Sequence, residues 1–340
     1  MFGGTKQDVW ISSILAAIIG MFGCYVIIVL GLKYPSQSLI QYGQQILGTW
    51  LGKLLGFVYI CFFILMASIS ARDFSELLLN YTLTKTPISV FVGVIILTSA
   101  YALYAGLTAI GRFAELMVPF TILIVIFGII ASIPNATFIP SLPLKHDLKY
   151  LINEAMLELP SLGMASSLLI LIPTLHEKAG AKKSLLISIA LAGLATILVA
   201  ITEVAVLGPY ETTSINYPFF FVFQQIAILP SIPRFDIFFI FAWISISFLT
   251  VALYYYITVV SIQQLFKIKS HHSFIVPIGI LILVIAIFAF PNFHYFKEIL
   301  RLNRIGVIAI PLDFIVPSFL LLISYFKQAH HQQTKGRLDG

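Results

Sequence analysis

The sequence predicts an all-α polytopic membrane protein, and three observations lead to that fold class. Of the 340 residues, 59% are hydrophobic and only 10% are charged, whereas soluble domains carry roughly 25% charged residues. Long apolar runs recur along the chain, and a run of about 20 residues is enough for one helix to cross a bilayer. None of these runs alternates apolar and polar residues, which excludes a membrane β-barrel.

Nine apolar runs are candidate membrane spans, and turn-forming residues such as Pro and Asn separate most of them. We expect a single transmembrane domain over residues 1–326, followed by a polar tail over residues 327–340 that lacks regular structure. The candidate spans are residues 9–32, 53–79, 87–105, 113–133, 151–174, 184–207, 236–266, 274–290 and 305–326.

Basic residues set the expected orientation. Lys and Arg are slightly more frequent on the side of the membrane that holds the C-terminal tail, and the cluster at residues 176–183 adds to this bias. Because cytoplasmic loops carry an excess of Lys and Arg, we expect a cytoplasmic C-terminus. The net charge of +6 is spread over short joins, which is typical of topology determinants and lipid headgroup contacts and not of a nucleic-acid surface.

The fifth span, residues 151–174, contains the features that most suggest a functional site. Pro160 lacks an amide hydrogen and Gly163 adds backbone freedom, so we expect the helix to break near its middle. Glu154 and Glu158 lie one turn apart on the same face. Non-helical backbone at this depth must line a cavity or be buried in protein, which favours a site. A simple proline kink with both acids near the membrane interface is the alternative.

A broken helix of this kind can bind a ligand through its backbone. Ser161 can cap the second half of the helix and leave the amides of Leu162 and Gly163 for a ligand carboxylate. Glu158 can accept an amino group or a proton, because ionisable side chains inside a membrane are functional hypotheses by default. An ordinary helix cap at Ser161 and an ion-paired or interfacial Glu158 are the alternatives.

Four acidic or basic side chains are candidates for a gate or for an ion pair. Arg72 and Glu76 are spaced i,i+4 at the end of the second span and can pair with each other. Glu203 lies near the outer end of the sixth span, where it can act at an outer gate or lie at a solvated helix end. Glu154 is the fourth candidate.

The seventh span offers polar groups to the expected cavity. Trp243 and Ser247 can line a binding site, or they can join helices, as hydroxyl groups in membrane helices often do. Cys24 and Cys61 lie in separate apolar runs without metal-ligand spacing, so we expect neither a metal nor a cofactor. Because no catalytic constellation is present in the sequence, an enzyme is the least favoured hypothesis.

Short motifs in a characteristic order carry a resemblance to a known family. They are Leu-Thr-Lys-Thr-Pro at 83–87, Gly-Leu-Thr-Ala-Ile-Gly-Arg at 106–112, Tyr-Pro-Phe at 217–219, Gln-Gln-Ile at 224–226, and Trp243 with Gln-Gln-Leu-Phe at 263–266. They resemble the spore germination permease family, the B subunits of nutrient germinant receptors, within the amino acid/polyamine/organocation transporter superfamily. Thr108 stands where the family usually has an acid, and the similarity covers nearly the whole chain.

The resemblance implies a LeuT-like inverted-repeat transporter fold of ten helices, with helices one and six broken at mid-membrane. Our nine spans correspond to family helices two to ten, so we expect the first family helix to be missing. Residues 151–174 are then helix six, and residues 236–266 are helix eight beside it. The expected ligand-binding residues are Glu158, Pro160, Ser161, Gly163, Trp243 and Ser247.

Three functional hypotheses follow from these observations. The resemblance favours a receptor subunit in the spore inner membrane that binds a small germinant, such as an amino acid, and signals to partner subunits of the A and C types. The alternative is a secondary transporter that moves amino acids with a proton or a sodium ion. An integral membrane enzyme is the third hypothesis, and no nucleic-acid partner is expected.

Overall fold

Helices joined by short turns make up the described part of the protein. The computed structural model describes residues 9–137, 148–159, 165–175, 180–226, 235–301 and 304–336. Because these ranges hold helices and no strands, the predicted all-α class is confirmed.

The helices follow one another closely along the chain. They are α1 (Val9–Lys33), α2 (Leu39–Leu47), α3 (Thr49–Tyr81), α4 (Ile88–Ala105), α5 (Leu107–Ser132), α6 (Leu148–Glu158), α7 (Ala165–Thr174, with 3₁₀ turns at both ends), α8 (Ala181–Ser214), α9 (Pro218–Gln224), α10 (Asp236–Phe266), α11 (His272–Phe288), α12 (Phe293–Arg301), α13 (Arg304–Ile310) and α14 (Val316–Gly336). A π-helical turn, Pro311–Ile315, connects α13 and α14.

Seven helical stretches in the described ranges are long and apolar enough to cross a membrane. They are α1, α3, α4, α5, α8, α10 and the stretch that runs from α13 through the π-turn into α14. α7 and α11 are apolar but shorter; α7 lies within the fifth predicted span, and α11 overlaps the eighth. The predicted class of polytopic membrane protein is thereby confirmed, whereas the count of nine spans and the LeuT-like repeat remain predictions.

Glycines with positive φ separate or interrupt several helices. Gly48 and Gly106 have φ angles of 85° and 89° and lie at the α2–α3 and α4–α5 boundaries. Gly208 has a φ of 81° inside α8 and precedes Pro209, so the helical path is interrupted there. A side chain with a Cβ rarely adopts this geometry. Glycine therefore lets the chain change direction without long loops.

α3 and α10 form the centre of the helix packing. α3 packs against α2, α4, α10 and α11, and α10 also packs against α4 and α5. In the apolar part of α3, 61% of the residues are buried, against 17% in α5 and in α8. α5 and α8 therefore lie at the periphery, where their apolar side chains face the surroundings of the protein.

α1 is the centre of a second group of helices. It packs against α6, α7, α8 and α14, and it also contacts the π-turn between α13 and α14. This packing places both helical pieces of the fifth predicted span beside the first span. The last span lies next to the same helix.

The structure differs from the sequence-based expectation in the joins and in the tail. α2, α9 and α12 lie where no helix was predicted, because each is too short for the length criterion of a membrane span. The expectation of an irregular tail is wrong for residues 327–336, since α14 continues to Gly336. The tail contains no helix-breaking Gly or Pro before that position, and its Gln, Ala and Lys residues are compatible with a helix.

We predict that Gly52→Ala destabilises the protein by about 1–3 kcal/mol, as overpacked cores do. A Cβ at Gly52 would lie 2.4 Å from the Cα of Gln44, because α2 and α3 approach each other through their backbones. The matched control is Gly93→Ala in α4, where nothing lies within 4 Å of an added Cβ. Thermal unfolding in detergent should show a lower midpoint for the first variant alone. Equal midpoints for both variants would contradict this close approach.

Candidate functional site

The fifth predicted span consists of two helical segments in the structure. α6 ends at Glu158 and α7 begins at Ala165, and both segments pack against α1. Pro160, Ser161 and Gly163 lie outside the described residues, as does the side chain of Glu158. Their role in ligand binding therefore remains a prediction. The structure does define the two helical segments that flank them.

A buried carboxylate lies at the start of α7. Asp313 belongs to the π-turn and is 1% exposed, and Ser166 is fully buried. The backbone N–H of Ser166 donates a hydrogen bond to Oδ1 of Asp313 at 3.2 Å. The first N–H groups of a helix have no partner within the helix, and an anion is favoured there by the helix dipole. The last span thereby holds the first turn of α7.

The π-turn results from local sequence. Pro311 and Pro317 each remove one N–H from the helical hydrogen-bond ladder, and Asp313 lies between them. Single π-turns inside α-helices occur frequently at functional sites. The hydroxyl of Tyr59 in α3 donates to the carbonyl oxygen of Leu312 at 2.6 Å, which ties the irregular backbone to the central helix.

A second polar group lies near the C-terminal end of α3. Nε of Arg72 donates to Oε1 of Glu76 at 2.7 Å, and Arg72 also donates to the carbonyl of Ala286 at 3.1 Å. Asn80 donates to Oε2 of Glu76 at 3.0 Å. Arg72 is 4% exposed and Glu76 is 1% exposed. This buried ion pair therefore connects α3 to the last turn of α11.

A tyrosine in a strained conformation contacts the same end of α3. Tyr217, directly before α9, has left-handed φ and ψ angles of 56° and 57°, which are uncommon for a residue with a bulky side chain. Its hydroxyl donates to Oδ1 of Asp73 at 2.8 Å. Burial raises the pKa of the Tyr217 hydroxyl, and the Asp73 carboxylate raises this pKa further. The hydroxyl therefore keeps its proton and remains the donor.

Trp243 belongs to the aromatic cluster around Tyr217. The ring centroids of Trp243 and Tyr217 are 5.2 Å apart with an edge-to-face arrangement, and Tyr81 packs against Tyr217 at 6.1 Å. Nε1 of Trp243 is buried and has no hydrogen-bond partner among the described residues. Tyr254, also in α10, lies within electrostatic range of Asp313. Trp243 precedes Tyr254 by eleven residues, which corresponds to about 16 Å along a helix. The structure therefore separates Trp243 from the part of α10 near Asp313.

The other predicted site residues lie at different places in the packing. Ser247 is half-buried on α10, one turn beyond Trp243. Glu154 is half-buried on α6. Glu203 is half-buried in α8, and its carbonyl accepts a hydrogen bond from Thr212 at 3.1 Å across the interruption of that helix. Within the described ranges, no three His, Cys, Asp or Glu side chains cluster so that they could hold a metal ion.

Asp313, Asp73 and Tyr217 were not among the site residues predicted from the sequence. A signal for Asp313 was present, because an acid between two prolines in an apolar span is unusual in itself. The Asp73–Tyr217 contact joins residues far apart in the chain, and no local pattern indicates it.

The structure defines the class of the protein: a helical membrane protein with interrupted helices and buried polar groups. A family model described as "Spore germination protein" matches residues 3–294. The chain therefore belongs to the spore germination permease family, and the resemblance found in the sequence is confirmed.

Three relatives from Bacillus subtilis (strain 168) show how far the similarity extends. "Spore germination protein KB" is 30% identical over 342 residues, covering 97% of this chain and 90% of the relative. "Spore germination protein A2" is 27% identical and covers 80% of this chain and 75% of the relative. "Spore germination protein YndE" is 24% identical and covers 78% of this chain and 73% of the relative.

We predict that removing one partner of the buried ion pair destabilises the protein more than removing both. Arg72→Met or Glu76→Leu alone leaves an unpaired buried charge, which costs about 3–5 kcal/mol, whereas an apolar pair of similar volume is often nearly neutral. Thermal unfolding in detergent should place the double variant above both single variants. Lys53→Met, at an exposed position of α3, is the control and should unfold like the wild type. Additive losses in the double variant would show that the two charges do not act as a pair.

Proposed function

We propose that this protein is the membrane subunit of a spore nutrient germinant receptor, which binds a small germinant and helps to trigger germination. The observation that carries the proposal is the family match over residues 3–294. The relative named KB, which is similar over 97% of this chain, supports it. An amino acid is the germinant class that the expected site suits, since this site combines groups for a carboxylate with an acid for an amino group.

The proposed ligand site lies at the junction between α6 and α7. In this proposal Ser161 caps the second half of the broken helix, and the amides of Leu162 and Gly163 bind the ligand carboxylate. Glu158 ends α6 and suits an amino group. Pro160 has no N–H with which to continue a helical hydrogen-bond ladder. The arrangement follows the use of half-helix ends in inverted-repeat transporters.

Trp243 and Ser247 complete the proposal as one wall of the cavity on α10. The buried Nε1 of Trp243 without a described partner supports this role, because an unpaired buried donor favours a ligand acceptor. Trp243 lies about 16 Å along α10 from the residues near Asp313. A small germinant at the α6–α7 junction does not reach that far, so Trp243 and Ser247 belong to a second part of the proposed cavity.

We place a gate at the ends of α3 and α8. The Arg72–Glu76 pair and the Asp73–Tyr217 contact hold α3 against α11 and α9. Glu203 precedes the interruption of α8 at Gly208, and Glu154 lies on α6. Charged groups at such positions can break and remake contacts when neighbouring helices move.

The proposed location is the spore inner membrane, with a cytoplasmic C-terminus. The proposed partners are germinant-receptor subunits of the A and C types. The peripheral helices α5 and α8, each 17% buried in its apolar part, offer apolar surface to lipid and to such subunits.

A secondary amino-acid transporter is the second candidate function. The irregular backbone of the last span and the buried carboxylate of Asp313 support it, because coupled transporters use both features. Reconstitution of the purified chain into proteoliposomes tests it with radiolabelled amino acids under an imposed proton or sodium gradient. We predict no gradient-driven accumulation. Robust uptake by the chain alone would replace the receptor proposal with the transporter.

We predict that Glu158→Gln raises the germinant concentration needed for half-maximal germination by about tenfold or more, because a charge-assisted hydrogen bond to an ammonium group contributes about 1.5–3 kcal/mol. Germination is followed as the loss of optical density of spores over a range of nutrient concentrations, with protein levels checked by immunoblot. The control is Glu115→Gln, at an exposed position of α5, which should leave the dose response unchanged. An unchanged response of the Glu158→Gln spores to every nutrient would contradict the site assignment.

A further inference from the structure

The most unusual ionisable group in the described part of the chain is Asp313. Its side chain is 1% exposed, although it belongs to a stretch that is apolar enough to cross a membrane. Removing a carboxylate from water without a compensating charge is very costly, so such a group either pairs with a cation or becomes neutral. The partners of Asp313 decide between these outcomes.

No described residue supplies a positive charge to Asp313. No described cation is among the groups that act on its carboxyl, whereas Arg72 and Glu76 pair with each other. In the described part of the chain, Cys24 of α1, Tyr59 of α3 and Tyr254 of α10 are titratable groups within electrostatic range of Asp313. α7, with the sequence Ala-Ser-Ser-Leu-Leu-Ile-Leu-Ile-Pro-Thr, contains no ionisable side chain. All these neighbours are neutral at neutral pH.

The hydrogen bond to α7 favours a proton over a metal cation at this site. The N–H of Ser166 points its positive end at Oδ1 of Asp313, and this dipole repels a cation bound to the same oxygen. The neighbouring carbonyl of Leu312 already accepts a hydrogen bond from Tyr59. Monovalent cations in transporters are coordinated by several unwound carbonyl groups, whereas a proton requires only the carboxylate itself.

We propose that Asp313 is an exchangeable proton-binding site whose protonation state controls how firmly the first turn of α7 is held. In the charged form, the carboxylate accepts the Ser166 N–H and opposes the helix dipole of α7. In the protonated form, one oxygen carries the proton, the group is neutral, and the hydrogen bond from Ser166 loses its charge assistance. This inference does not depend on whether the chain senses or transports a nutrient.

Infrared spectroscopy of the purified full-length chain in lipid nanodiscs tests the proton site directly. Acidification should produce the C=O stretching band of a protonated carboxylic acid in the wild type, and Asp313→Asn should lack this component. Asp236→Asn removes a second buried aspartate and should retain it. A wild-type spectrum that does not differ from that of Asp313→Asn over about pH 4–8 overturns the proposal. A band that responds to sodium chloride at constant pH, and not to acidification, also overturns it.

Hydrogen–deuterium exchange tests the connection to α7. Asparagine has the shape of the protonated acid without its charge. At a pH at which infrared spectroscopy finds the wild-type carboxyl ionised, peptides covering residues 165–175 should therefore exchange faster in Asp313→Asn than in the wild type. We expect an increase of about tenfold, the factor that corresponds to one charge-assisted hydrogen bond. Asp236→Asn is again the control and should exchange like the wild type. Equal exchange of this segment in the wild type and in Asp313→Asn would show that Asp313 does not hold α7.

The exchange of α3 peptides serves as a folding check in the same samples. α3 is the most buried of the long helices, and it should remain protected in all three proteins. If Asp313→Asn lost protection throughout α3, the wild type alone would decide the question. The protection of its residues 165–175, which is the intrinsic amide rate divided by the observed exchange rate at each pH, should then fall on acidification while the protection of α3 stays constant. Protection of residues 165–175 that does not change with pH would overturn the proposal.

Discussion

The bilayer interior offers no water to the ends of helices, so each backbone N–H and C=O at that depth must find its partner within the protein. Charged side chains meet this need at three places in the described part of the chain. Arg72 donates to the carbonyl of the third-last residue of α11, and Lys327 donates to the carbonyl of Ile46 in the last turn of α2 at 2.8 Å. Asp313 accepts from the first turn of α7. Arg72 and Lys327 have the charge that the helix dipole favours at a C-terminal end, and Asp313 has the charge favoured at an N-terminal end when it is ionised. These three side chains therefore fix the ends of helices.

The close contacts of α1 link the two irregular parts of the structure. A Cβ at Gly23 would lie 1.8 Å from the ring of Phe314, next to Asp313, and a Cβ at Gly31 would lie 2.3 Å from Ile172 in α7. The backbone of α1 thus touches both the π-turn and α7. Because packed interiors have little free volume, a displacement of either element requires a displacement of α1 as well. The α1 helix therefore connects the π-turn and α7 to α6, α8 and α14 through direct packing.

Much of the fold could be predicted from the sequence because lipid imposes a simple rule on length and polarity. Each of the seven long helices overlaps a predicted span, and the turn residues Pro87 and Gly106 mark the limits of α4. α2 and α9 could not be predicted by this rule, since helices of nine and seven residues are stabilised by tertiary packing and not by an apolar length. The sequence also lacks any direct measure of burial, so it could not show that α3 is central while α5 and α8 are peripheral.

The candidate site was predictable only where its signal is local. The i,i+4 spacing indicates that Arg72 can pair with Glu76, but the contact of Arg72 with Ala286 joins residues 214 positions apart. The contact between Ser166 and Asp313 spans 147 positions. Both long contacts have the same physical origin, since an interrupted or terminated helix leaves backbone groups that only another element can satisfy. The start of α7 and the π-turn are two such places, and the structure sets them against each other. The N–H of Ser166 at the start of α7 would lie unpaired in an apolar interior if the π-turn did not supply the carboxyl of Asp313 as its acceptor. The same carboxyl is the group that we propose to bind a proton, so one side chain both completes the helix end and can change its charge.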